Sequence, residues 1–162
     1  MAPLARIVSG GQTGADRAAL DVAVVLGIPY GGWCPRGGWA EDLREPPGLL
    51  ARYPSLQQTP EAEPSQRTRW NVRDSDATLV LLDGPSPPER SGTALTVAVA
   101  RELNRPLALA ELADPEAALG AAHALLRGLG DGAVLNVAGP RESRAPGIYE
   151  RSRGFLLELL GG

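Results

Sequence analysis

Three short segments of the chain carry residue types able to hold a ligand, and each follows an apolar run. The first, Ser9-Gly10-Gly11-Gln12-Thr13-Gly14, passes straight from such a run into a segment with helical spacing. Glycines let backbone approach a ligand closely, and a helix amino terminus offers free N–H groups and a partial positive charge. That combination suits phosphate or another oxyanion. The segment is neither GxGxxG nor a P-loop, and a tight turn closed by a helix cap is the plainer alternative. Asp16 works against an anion, because its charge in the first turn competes with one unless Arg17 or another arginine offsets it. The second segment, Arg90-Ser91-Gly92-Thr93, again opens a helix and adds two hydroxyls. Two such helix starts on one sheet edge would grip two parts of a ligand. The third, residues 136 to 143, ends a strand in Gly139-Pro140-Arg141 and reads nearly as well as a plain turn.

The tryptophans are the other anomaly. Trp33 and Trp39 sit in the glycine-rich stretch "GGWCPRGGWAED" around Arg36, and Trp70 lies in "RTRWNVRDSD", while the apolar runs contain no tryptophan at all. An indole face stacks on a planar heterocycle, and a guanidinium takes phosphate or carboxylate in bidentate fashion. A nucleotide or pterin-like ligand would use both, with Trp33, Arg36, Arg69 and Asn71 as candidate walls and Arg141 at the rim. Tryptophan and arginine stacking on each other within a loop, or lying at a subunit interface, are the alternatives. Glu41-Asp42 and Asp74-Ser75-Asp76 have the oxygen ligands magnesium takes, yet caps and solvated charges explain them more simply. No metal ligand set is assigned.

Composition narrows the chemistry. Cys34 is the only cysteine and His123 the only histidine, so one chain builds neither a disulfide framework nor a Cys/His zinc cluster. His123, in "GAAHALLRG", reads as structural or solvated. All 16 basic residues are arginine, which removes the P-loop lysine and any Schiff-base mechanism. A net charge of -3 argues against a general nucleic-acid binder. No apolar run approaches the ~20 residues needed to span a bilayer. The start "MAPLARIVSGG" lacks the basic region and long apolar stretch of a secretory signal, so a cytoplasmic protein without membrane contact is expected.

These residues must be positioned by elements the sequence also predicts. "ARIVSG", "DATLVLLD", "RPLALAEL" and "GAVLNVAG" are almost continuously apolar, as expected for parallel strands buried on both faces, and "IPYGGW" is a weaker strand. Between them run helices. Thr13 with Asp16 resembles a capping-box start, and Gly27 with Pro29 supplies the stop. Further helices are predicted at 65–74 and from Gly92 to Asn104. Another follows the Asp114-Pro115 cap to about Arg127, and a last opens near Pro146. Residues 43–66 and 84–90 read as loops, the first with room for a short strand. The 162 residues fit one domain, 1–162. The fold class expected is α/β: a single Rossmann-like, doubly wound, mostly parallel sheet with helices on both faces. In such sheets ligands bind beyond the carboxyl ends of the strands, where the three segments fall.

Taken in order, "VSGGQTGADRAALD", "GIPYGGWCPRGGWAED", "RTRWNVRDSDATL", "SGTALT" and "NVAGPRES" with "PGIYE" resemble the pattern of the molybdenum-carrier family of small bacterial proteins. The resemblance covers nearly the whole chain. It implies kinship with a wider Rossmann-like group that includes the lysine-decarboxylase-like "Lonely Guy" phosphoribohydrolases and the DNA-processing protein A fold. In those hydrolases a Pro-Gly-Gly-x-Gly-Thr-x-x-Glu loop binds nucleotide phosphate and supplies a catalytic glutamate. Here Gly92-Thr93 match the Gly-Thr pair, but Thr96 stands at the glutamate position. An arginine placed before the preceding strand in those enzymes corresponds to Arg67 or Arg69.

The expectation is therefore a carrier-like binding protein for a phosphate-bearing nucleotide or pterin ligand, the molybdenum cofactor (molybdopterin) included. Its site would lie between Gly10, Gly11, Gln12, Thr13 and Gly14 on one side and Ser91, Gly92 and Thr93 on the other. The alternative is a nucleotide-processing hydrolase of the phosphoribohydrolase type, drawing its carboxylate from Asp16 or Glu41. Molybdate itself is a third reading, which leaves the tryptophans unexplained. The resemblance also implies a homo-oligomer, dimer or tetramer.

Overall fold

The computed structural model describes residues 3–162. Five parallel strands form the sheet in the order β2-β1-β7-β5-β6: β1 (Leu4–Val8), β2 (Tyr30–Gly31), β5 (Ala77–Leu82), β6 (Leu107–Glu111) and β7 (Ala133–Ala138). A two-strand ribbon of β3 (Trp33–Cys34) and β4 (Gln57–Gln58), also parallel, lies beside it. The helices are α1 (Ala15–Leu26), α2 (Leu49–Arg52), α3 (Pro64–Arg73), α4 (Gly92–Glu102), α5 (Pro115–Arg127) and α6 (Ile148–Gly161). A 3₁₀ turn covers Arg36–Gly38. The four continuous apolar runs became β1, β5, β6 and β7, because a strand with helices on both faces has no solvent side to alternate toward.

Every residue of β5 is buried. On one face of the sheet, Ile7, Leu79, Leu81 and Leu135 pack with α1, α5 and α6; on the other, Val80, Leu82 and Val97 join α4, with Val72 of α3 and Val99 nearby. Burying each large aliphatic side chain contributes about 1.5–3 kcal/mol. A smaller core holds the 33–56 segment in place: Leu20 of α1 packs with Cys34, Ala40, Leu49, Tyr53 and Leu56. The buried Cys34 thiol is pushed up to about 11 by burial, so it serves as a protonated, apolar filler.

One helix start differs from the capping box. Gly14 occupies the cap with no side-chain hydrogen bond, and the Ala15 N–H is taken instead by the Pro140 carbonyl at 3.1 Å. The Thr13 hydroxyl, which the motif assigns to the cap, donates to Glu41, and Asp16 turns inward and is buried. Helix α6 opens at Gly147, one residue beyond Pro146. The Gly27 stop and the Asp114 cap form as the sequence predicts.

Asp21 ties three elements together. Its two oxygens accept from the Tyr53 and Tyr149 hydroxyls, each at 2.5 Å, joining α1 to the end of α2 and to α6. Burial and the Asp21 charge push both phenols up, Tyr149 to about 12, so both stay donors at any ordinary pH. Asp21→Ala is expected to cost about 2–3 kcal/mol by stranding two hydroxyls. Tyr149→Phe should cost less than half as much. Urea unfolding midpoints of the two variants measure both numbers, and equal effects would contradict a shared acceptor.

Candidate ligand-binding site

Helices α1 and α4 lie on opposite faces of the sheet, and the strand order turns between their parent strands, β1 and β5, with β7 between them. At this switch point a cavity of about 240 Å³ opens beyond the carboxyl ends of the strands. Gly10, Gln12 and Asp16 line one side and Ser91, Gly92, Thr93 and Thr96 the other. Asn136 and Gly139-Pro140-Arg141 form part of the floor and rim, with Arg90 and Arg144 also at the wall.

Ser91 caps α4 by accepting the Ala94 N–H at 3.0 Å. The Gly92 and Thr93 N–H groups are left without intrahelical partners, as at any helix start. Arg67 of α3, also at the cavity wall, is 8% exposed, and its guanidinium donates to the Gly10 carbonyl at 2.9 Å. Gly10 makes this possible: a β-carbon there would meet the guanidinium at 2.6 Å. Burial pulls the Arg67 guanidinium below its ordinary value, while the Asp16 charge opposes that fall. Gln12 is 4% exposed. Its oxygen accepts the Thr13 and Glu41 N–H groups, both at 3.0 Å, and its Nε2 has no partner.

Asp16 is the site's buried acid. It is 8% exposed, and burial raises its carboxyl to about 6 despite the arginine charges of Arg67, Arg17 and Arg141. No arginine stands within ion-pair distance of it: Arg17 forks instead onto Asp42, with both contacts at 2.8 Å, and donates to the Gly11 carbonyl at 3.0 Å. Glu41 is equally committed. Burial pushes its carboxyl up, but the Ser143 and Thr13 hydrogen bonds prevail and hold it below its ordinary value. Through these contacts, and an ion pair with Arg141 at 3.7 Å, Glu41 joins the Gly10–Gly14 loop to the Arg141–Ser143 loop.

Of the residues singled out in the sequence, Gly10, Gln12, Asn71, Ser91, Gly92, Thr93 and Arg141 meet at this cavity. Gly11, Thr13 and Gly14 shape the loop behind it. The tryptophan wall lies elsewhere. Trp33 stacks edge-on against Trp70, ring centroids 4.8 Å apart, and its Nε1 donates to Asp74 at 2.8 Å. Asn71 clamps the Trp33 backbone at both its N–H and its carbonyl, and Arg73 covers the Trp70 ring. Loop packing is thus the reading the geometry favours for this pair. Trp33 lines only a small cleft of about 90 Å³ with Arg6, Ser55 and Gln57. Arg36 is exposed on its turn, and Arg69 faces outward toward Glu102 at 3.5 Å. Arg67, rather than Arg69, is the arginine of the cavity.

Sequence reasoning misses Thr68 and Arg144, and names Arg90 and Asn136 only as members of the second and third segments. Asn136 had a signal: it is the one polar side chain in "AVLNVA", 2% exposed, held by the Thr78 hydroxyl at 3.3 Å on the neighbouring strand. Arg90 stands in the second segment, but its left-handed backbone (φ 62°) has no signal in the sequence.

An open parallel sheet with a polar cavity at its switch point defines a Rossmann-like α/β protein. The chain belongs to the circularly permutated YpsA SLOG family, whose model matches residues 7–160. It is similar to a crystal structure described as "Putative molybdenum carrier protein" from Syntrophus aciditrophicus SB, at 38% identity and a TM-score of 0.83, covering 98% of this chain and 96% of that one. The resemblance carried by the sequence motifs is thereby borne out. No curated protein matches the chain. Among the described residues, no helix is long and apolar enough to cross a membrane.

Proposed function

We propose that this protein binds a phosphate-bearing nucleotide or pterin ligand, the molybdenum cofactor included, in the cavity between the starts of α1 and α4. One observation carries the reading: Arg67, buried at 8% exposure, and the α4 helix start line the same cavity. The donors around it are guanidinium, amide and hydroxyl groups, which suit an oxyanion better than a bare metal ion. Molybdenum would therefore arrive as molybdate or within a phosphorylated cofactor, in keeping with the description of the Syntrophus neighbour.

Thermal unfolding against AMP, GMP, ADP-ribose, NAD, molybdate and molybdopterin tests the reading. A ligand at 100 times its dissociation constant adds ~2.7 kcal/mol, a rise of roughly 5–10 °C for a chain of this size. Arg67→Ala should abolish the rise and Arg69→Ala should preserve it. A rise that survives Arg67→Ala, or no rise with any compound, would sink the placement.

A second reading, a nucleotide-processing hydrolase, is favoured by Asp16, a carboxyl raised to about 6 inside the cavity. Release of free base from AMP or GMP separates the two, since a carrier gives no product.

A further inference from the structure

The cavity holds one group that a simple anion site has no use for. Asp16 is buried in the first turn of α1 and lines the same space as Arg67 and the α4 start. The Gln12 backbone and the neighbouring arginine charges favour its ionised form, but among the described residues no cation stands within ion-pair distance of it. A carboxylate accepts about four hydrogen bonds, so most of its capacity is unused. Beside it, Gln12 leaves its buried Nε2 donor unpartnered. Groups in this state are costly unless something completes them. A bare dianion would meet the carboxylate as a like charge.

The lining says which donors would complete Asp16. It contains glycine, proline, hydroxyl, amide and guanidinium groups and no aromatic ring, both tryptophans of the 33/70 pair being engaged outside it. A heterocycle buried here would find no aromatic face to stack on, whereas a polyhydroxylated ring would find acceptors and donors on every side. Resting on the function proposed above, we infer that Asp16 receives the vicinal hydroxyls of a ribose-type sugar whose phosphate sits at the Ser91–Thr93 helix start. The site thus takes a sugar phosphate or nucleotide and discriminates against inorganic oxyanions. Any base would lie toward the mouth, near Pro88, Arg90 and Arg144.

The test is calorimetric titration of the whole protein and of Asp16→Asn with AMP, 2′-deoxy-AMP, 3′-deoxy-AMP, ribose 5-phosphate, GMP, orthophosphate and molybdate. The parent should bind AMP and ribose 5-phosphate at least tenfold more tightly than either deoxy compound or orthophosphate. In Asp16→Asn that preference should collapse, while orthophosphate and molybdate bind more tightly than to the parent. Equal affinity for AMP and its deoxy analogues overturns the sugar assignment and leaves the function intact. Tight binding of GMP alone, indifferent to the sugar but lost in Asp16→Asn, also overturns it, by assigning the carboxylate to a base edge. If no phosphorylated compound binds the parent, the proposed function fails and this inference falls with it.

Discussion

Asp16→Asn should make the unliganded protein more stable at pH 7.5, and the gain should vanish near pH 4. Burial outweighs the neighbouring arginines and raises the folded carboxyl from its ordinary 3.8 to about 6. Between those two values the native state holds a proton that the unfolded chain has already released. Native stability therefore falls as pH rises through that window, and above it the whole deficit remains. The span corresponds to about 3 kcal/mol, or roughly 6–12 °C in the unfolding transition of a chain this long. Below pH 4 the neutral acid and the amide are nearly equivalent, so the two proteins should melt together. Melting curves from pH 4 to pH 8 check both the size and the shape. A variant less stable than the parent at pH 7.5 would show that Arg67 and its neighbours hold the carboxylate more strongly than burial penalises it. A protein that gives up stability to keep a charge in its cavity fits a group retained for a ligand.

Gly14→Ala should produce the largest loss. The residue sits at φ 81° and ψ -130°, where only glycine is comfortable, and a β-carbon would lie 2.3 Å from the Pro140 carbonyl oxygen and 2.8 Å from the Glu142 nitrogen. Both atoms are backbone, so nothing flexible can give way. Strain and overpacking together should cost about 3–5 kcal/mol, which lowers the urea midpoint by roughly 1.5 M or more. Gly92→Ala is the control, because nothing lies within 4 Å of its β-carbon position; it should change the midpoint by less than about 0.5 M. If Gly14→Ala folds with a near-parental midpoint, the close approach of the α1 start to the 140–142 loop is wrong, and with it the shape of one cavity wall.

The sheet was legible because strands buried on both faces announce themselves as continuous apolar runs. The helix starts at Gly92 and Pro115 were legible because their caps are local. The first helix start was misread for the opposite reason: Thr13 is engaged by Glu41, 28 residues away, and the Ala15 N–H by Pro140, far along the chain. The packing of the tryptophan loop is hidden from the sequence likewise, since the Asn71 clamp on Trp33 spans 38 residues. Choosing between Arg67 and Arg69 needed only helix geometry. Two residues turn the helix by about 200°, so they face opposite ways, and Arg67, Thr68 and Asn71 share the inward face with Val72. Asp16 reads both as an obstacle to an anion and as a carboxylate for a hydrolase, because sequence shows a charge without showing that it is buried.

Strand β7 is last in the chain yet central in the sheet, bonded to β1 on one side and β5 on the other. The β2-β1 pair and the β5-β6 pair touch no common strand except this one. Without β7 each pair keeps an open hydrogen-bonding edge, and the arrangement of the two halves around the cavity is fixed only when β7 pairs with both. The cavity between the α1 and α4 starts is thus closed off by the strand that comes last, and its two sides belong to one sheet only through β7.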